Sequence, residues 1–101
     1  MVKRKIIWSV EAKEDIFRIL EYYTLRNRSK SYSVKLQRKL IEGVNLLLKH
    51  PDLGIQTADE SIRGIIIDSY IVFYENTRDI VIIHTIWDTR QNPENNIPKT
   101  L

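Results

Sequence analysis

The sequence predicts an α+β fold in the order β-α-α-β-β-β, with a helical hairpin packed on one face of a mainly antiparallel four-stranded sheet. Three observations lead there. Residues 61–87 break into three short runs rich in β-branched and aromatic side chains, separated by turn residues. Residues 9–50 hold two stretches in which apolar residues recur every three to four positions, the period of a helix buried along one side. A chain of 101 residues has room for one small core, so these pieces are expected to form a single domain.

In order, Lys3–Trp8 reads as a short strand. Ser9 is placed to cap the helix that follows, and Glu11, Glu14 and Asp15 put carboxylates where the helix dipole favours them. Ala12, Ile16, Ile19, Leu20 and Tyr23 form its apolar stripe, to about Leu25. Arg26–Lys30 is a polar link, and Ser29 or Ser31 can cap a second helix, striped by Leu36, Leu40, Val44 and Leu47 and ending near His50. Pro51 cannot continue it. Pro51–Glu60 is expected to be a loop, with Gly54 supplying a backbone conformation that other residues resist. Ser61–Asp68, Tyr70–Asn76 and Ile80–Trp87 are the three meander strands, and Asp88–Leu101 is a polar tail with two prolines.

The strands alternate poorly between apolar and polar. Tyr70, Val72 and Tyr74 oppose Ile71 and Phe73, and Val81, Ile83 and Trp87 oppose Ile80, Ile82 and Ile86. A sheet with one wet face alternates; a sheet covered on both sides need not. The helical hairpin can cover one face, and no element remains for the other. Ile71, Phe73, Val81, Ile83 and Trp87 are therefore expected to lie on a face that a partner covers, with Tyr70 and Tyr74 in the core.

Composition narrows the function classes. There is no cysteine, which removes disulfides and thiolate metal sites. No apolar run approaches the roughly 20 residues that span a bilayer, and the apolar part of Met1–Trp8 is too short for a signal peptide, so a soluble cytoplasmic protein is expected. The formal net charge of +3 is unevenly spread: +7 over residues 1–50 and −4 over the rest. Arg26, Arg28, Lys30, Lys35, Arg38 and Lys39 follow one another with no acid between Glu21 and Glu42. Such a cluster attracts phosphates or acidic protein segments, or is simply a solvated helix face.

Motifs of common enzymes are missing. The three glycines are scattered, which excludes a phosphate-cradling loop, and no histidines pair at metal spacing. No metal or cofactor is expected. His50 suits a helix end, and a lone strand histidine such as His84 is more often structural than catalytic. Arg63 and Arg90, at the start and just after the end of the meander, could grip phosphate or carboxylate in bidentate fashion or could be plain surface arginines.

Taken in order, Trp8, Tyr22-Tyr23, His50-Pro51-x-Leu53-Gly54, Ile62-Arg63, Tyr70-x-Val72-x-Tyr74 and Ile83-x-x-Ile86-x-Asp88-x-Arg90-x-Asn92-Pro93 resemble the RelE/ParE toxins of type II toxin–antitoxin systems. The resemblance runs from residue 3 to about residue 95. It implies a small cytoplasmic toxin, associated with plasmid stabilisation and growth inhibition, and neutralised by a cognate antitoxin that wraps it. RelE-like members cut messenger RNA on the ribosome; ParE-like members poison DNA gyrase. RNA cleavage needs a base, an acid and cations for the phosphorane. The resemblance would assign Arg63, Arg90, His84 and Glu60 to such a site. The match is poor: Gly54–Ile62 has no lysine, Ile71 and Asp88 stand where basic residues are common, and Asn92–Leu101 has neither tyrosine nor histidine. The ParE-like reading is therefore expected to hold, with a ribosome-dependent endonuclease second and a non-toxic partner-binding remnant third. In each, the basic cluster would draw in acidic antitoxin residues.

Overall fold

The computed structural model describes residues 4–90. Elements follow one another as β1 (Lys5–Trp8), α1 (Val10–Asn27), α2 (Ser31–Asn45) with a short 3-10 turn at Leu46–Leu48, β2 (Ile55–Gln56), β3 (Ile62–Ile67), β4 (Tyr70–Asn76) and β5 (Ile80–Asp88). They build one mixed sheet in the order β1-β5-β4-β3-β2. β1 runs parallel to β5, which the two intervening helices permit, and all other pairs are antiparallel. The α+β class and the helical hairpin on one sheet face are as the sequence predicts. The strand count is five rather than four, because Ile55 and Gln56, read as loop, pair with Gly64 and Arg63. Two residues are too few to register as a periodic run. Asp88, assigned to the polar tail, still pairs with Tyr70 inside the sheet. Of the rest of that tail, Thr89 and Arg90 are described, while 91–101 lie outside the described residues, as does Lys3.

Local chemistry explains the boundaries. Ser9 caps α1: its Oγ accepts from the Ala12 N–H at 3.0 Å and donates to the His84 carbonyl at 2.8 Å, tying the helix start to β5. α1 ends on Arg28, in a left-handed conformation with φ 52°. Neither Ser29 nor Ser31 occupies the cap position of α2; Lys30 holds it without a side-chain bond, and the Ser29 hydroxyl accepts from the N–H of Ser31, the first residue of the helix. The predicted stripe Leu36, Leu40, Val44 and Leu47 is buried to 2% exposure or less. It packs against Tyr70, Val72, Tyr74, Val81, Ile83 and Ile86 with Ala12 and Tyr23 from α1.

Two expectations fail for definite reasons. Gly54 has no positive φ. It is required because a Cβ there would stand 2.7 Å from the Tyr74 hydroxyl and 2.9 Å from the Gly64 carbonyl. The conformation other residues resist falls instead on Asp68, with φ 57° in the two-residue turn between β3 and β4. The second failure concerns β5. Phe73 pairs with Thr85 but Tyr74 pairs with Ile83, so His84 is an extra residue, a β-bulge. The bulge reverses the alternation beyond it. Val81 and Ile83, expected on the partner face, are fully buried under the helices together with Ile86. Trp87 lies on the other side, its ring against Phe73 at 5.6 Å edge to face.

Candidate functional site

The face turned away from the helices is the first candidate surface. Strand alternation places Ile7, Ile66, Ile71, Phe73 and Trp87 on it. Gly64 belongs to the same face, since a Cβ there would meet Ile71 and Phe73 at 3.3 Å, and its partner Ile55 extends the surface to the far edge. Ile55, Ile66 and Ile7 are 69%, 60% and 47% exposed. Aliphatic side chains this open, collected on one sheet face, make it a candidate interaction surface. Of the five residues expected there, Ile71, Phe73 and Trp87 lie on this face and Val81 and Ile83 do not. Ile7, Ile55 and Ile66 were missed: Ile55 sat in an assumed loop, and the other two follow from the strand parity. One polar pair interrupts the surface. The His84 ring nitrogen lies 3.1 Å from Glu75, and the bulge is what turns His84 toward it.

A second cluster closes the end of the sheet where β5 leaves it. The Arg90 guanidinium donates to the hydroxyls of Tyr23 and, at 3.2 Å, Tyr70, and to both oxygens of Asp88. It also lies over both tyrosine rings, 5.8 and 5.7 Å from their centroids. Asp88 and Tyr23 raise the guanidinium pKa further, so the cation is permanent. Burial pushes Asp88 up, but the Arg90 side-chain and backbone hydrogen bonds outweigh it and hold the carboxyl below its ordinary value. Burial, then the Tyr23 hydrogen bond, raises Tyr70 far above the usual phenol range. Nearby Asp15 is buried in α1, where it accepts the Ile86 N–H at 3.0 Å and binds Arg18. An open cavity of about 820 Å³ beside α1 is lined by Asp15, Arg18, Tyr22, Tyr23, Asp88 and Arg90 among others. Of its three arginines, 18 and 90 are each matched by a carboxylate, and Arg26 donates to the Tyr22 hydroxyl and lies over its ring. From sequence Asp15 is expected only to complement the helix dipole; its place three residues after Ala12 and four before Ile19, on the same face, is the signal that marks it as buried.

The four residues that an RNase site would use are not assembled. Arg63 donates to the Gly54 carbonyl at 2.9 Å and lies 3.7 Å from Asp52. Arg63 is opposite Tyr74 and Arg90 clamps Tyr70, four residues along β4, which separates them by roughly 13 Å of strand. His84 is on the opposite sheet face, and Glu60 is exposed in the turn before β3. In that turn the Ser61 hydroxyl and backbone N–H hold Asp59 below its ordinary pKa. Tyr74, expected in the core, is there, but its hydroxyl also bridges the loop, donating to Pro51 and accepting from the Gly54 N–H, each at 2.8 Å. The six basic residues are all exposed on the hairpin of α1 and α2, on the side away from the apolar sheet face. Among the described residues no three His, Cys, Asp or Glu side chains come together as a metal site, and no helix is long and apolar enough to cross a membrane.

The model of a family described as ParE toxin of type II toxin–antitoxin system, parDE, matches residues 6–93. The fold is similar to that in a structure titled as the chromosomal ParDE system from P. aeruginosa, with a TM-score of 0.73, 15% identity, and coverage of 87% of this chain and 98% of that one. It is more distantly similar to a chain in the E. coli DinJ-YafQ toxin-antitoxin complex, with a TM-score of 0.55, 14% identity, and coverage of 86% and 93%. No curated protein sequence matches the chain.

Proposed function

Because the chain belongs to the ParE toxin family of type II toxin–antitoxin systems, we propose that it acts without catalysis, arresting growth by binding a target such as DNA gyrase, and that a cognate antitoxin neutralises it. The observation that carries the non-catalytic reading is the dispersal of Arg63, Arg90, His84 and Glu60. General acid–base chemistry needs its groups within hydrogen-bond reach of one reacting centre. Here two of the four are committed to holding a loop and a strand end, and a third faces the opposite side of the sheet.

The antitoxin's place on this reading is the apolar sheet face. A segment with an apolar stripe would cover Ile66, Ile71, Phe73 and Trp87, and the open edge at β1 would admit an added strand. Producing the toxin without its antitoxin, and following gyrase-trapped linear DNA alongside cleavage of ribosome-bound message, tests the proposal. Trapped linear DNA with intact message is expected. Message cleavage that disappears in His84→Ala or Glu60→Gln, with no effect on gyrase, would establish the endonuclease instead. Unimpeded growth would make the chain a partner-binding remnant.

A further inference from the structure

The basic hairpin, expected from sequence to draw in acidic antitoxin residues, lies on the side of the molecule opposite the sheet face where the antitoxin is placed. We propose that the α1–α2 hairpin docks on the phosphate backbone of duplex DNA. The inference does not rest on gyrase being the target.

Three observations support it. First, the cations are available. Arg28, Lys30, Lys35 and Arg38 are exposed and have no carboxylate within ion-pair distance among the described residues, whereas Lys39 lies 3.6 Å from Asp68. Second, folding explains only part of them: Arg28 caps the C-terminus of α1, where a cation suits the helix dipole, but Lys30 has no such place. Lys30 occupies the cap position of α2, whose first turn has no acid and no side-chain cap. A cation at that end opposes the helix dipole and costs stability, so helix formation does not favour Lys30 there. Third, the surroundings suit phosphate better than protein. Asn27, Ser29, Ser31 and Gln37 are interspersed among the cations, and these are the side chains that donate to phosphate oxygens. The core of a protein interface is instead depleted of lysine and built on aromatic anchors. The aromatic residue of this stretch, Tyr32, packs against Tyr23 with centroids 4.7 Å apart, so it offers no free platform for stacking single-stranded bases. From Arg28 to Arg38 the cations extend over roughly 15 Å, a length of duplex that presents several phosphates.

Fluorescence anisotropy of the full-length toxin with a labelled duplex of arbitrary sequence, titrated with NaCl, tests this. Four phosphate contacts give a slope of log affinity against log salt of about −3.6, roughly a hundredfold loss between about 50 and about 200 mM. A variant combining Arg28→Asn, Lys30→Gln, Lys35→Gln and Arg38→Gln is expected to lose binding at low salt. Asn is chosen at 28 for its tolerance of the left-handed backbone. A charge-matched control, Lys5→Gln, Lys13→Gln, Lys49→Gln and Arg78→Gln, is expected to keep most of it. Equal losses in the two variants would reduce the effect to net charge and overturn the proposal. So would a wild-type slope shallower than about −2, which is read without any variant. Displacement of the duplex by polyglutamate at equal charge concentration would assign the surface to an acidic protein instead.

Discussion

At the scale of single residues, the hydroxyl of Tyr74 shows how a polar atom can hold a loop in place. It satisfies the buried Gly54 N–H and donates to Pro51. Tyr74→Phe keeps the ring and leaves that N–H unpaired, at a cost of about 1–3 kcal/mol. Gly54→Ala drives a methyl against the same hydroxyl and a backbone carbonyl, and is expected to cost about as much. Urea denaturation of both variants checks the pair, and values near zero would show the loop to be indifferent to the bridge. Tyr74, like Tyr70, has its pKa raised above the ordinary 10.0, chiefly by burial. A raised folded value means that the stability gained from the neutral phenols is fully present below about pH 10 and is lost as pH climbs through the folded values. Two of the five tyrosines should therefore ionise only as the chain unfolds in alkali. Phenolate absorbance that reaches its full value before the circular dichroism changes would contradict this. Little of this chemistry was legible in the sequence. A tyrosine in an apolar run reads as core, and nothing local reveals that its hydroxyl meets a glycine 20 positions away.

Elements were far more legible, because period and caps are local. The stripe of α2 and the limits of β4 stand where the sequence puts them. The failure on β5 has one physical source: a bulge adds a residue without adding any compositional mark, and every side chain beyond it changes face. Tertiary bonds hold the bulge. Ser9, from the start of α1, donates to the carbonyl of His84, and Asp15, two turns on, accepts from the Ile86 N–H. Ser9→Ala therefore removes a helix cap and a link between α1 and β5 together. A cap alone is worth about 1 kcal/mol, and the unpaired His84 carbonyl adds to that. A loss of about 2 kcal/mol in denaturation, with faster hydrogen exchange at the Ala12 amide, is expected. A loss no larger than that of an exposed control such as Gln37→Ala would show that the bulge is held by other bonds.

At the scale of the molecule, two helices protect one face of the sheet, and among the described residues no element covers the other. Uneven strand alternation announced this in the sequence; which residues make up the open face depended on the bulge, so the expected set was only partly right. Three of the five residues expected on the face are not the ones to mutate. Val81 and Ile83 are core, and Phe73 is 4% exposed beneath its neighbours, so a charge at any of them threatens folding itself. Ile66 is the better probe. It is 60% exposed, it stands opposite Ile71 on the apolar surface, and it is not among the residues packed on the core. Ile66→Glu should leave the free toxin as stable as before, within about 0.5 kcal/mol. In the complex the same carboxylate would be buried unpaired against apolar antitoxin residues, a penalty of several kcal/mol, or a loss of affinity of about a thousandfold. Cells carrying Ile66→Glu would then remain arrested when antitoxin is supplied, while wild-type cells recover. Val34→Glu, on the exposed side of α2, serves as the matched control and should be neutralised normally. Recovery of Ile66→Glu cells at wild-type antitoxin levels would mean that the antitoxin acts from another surface.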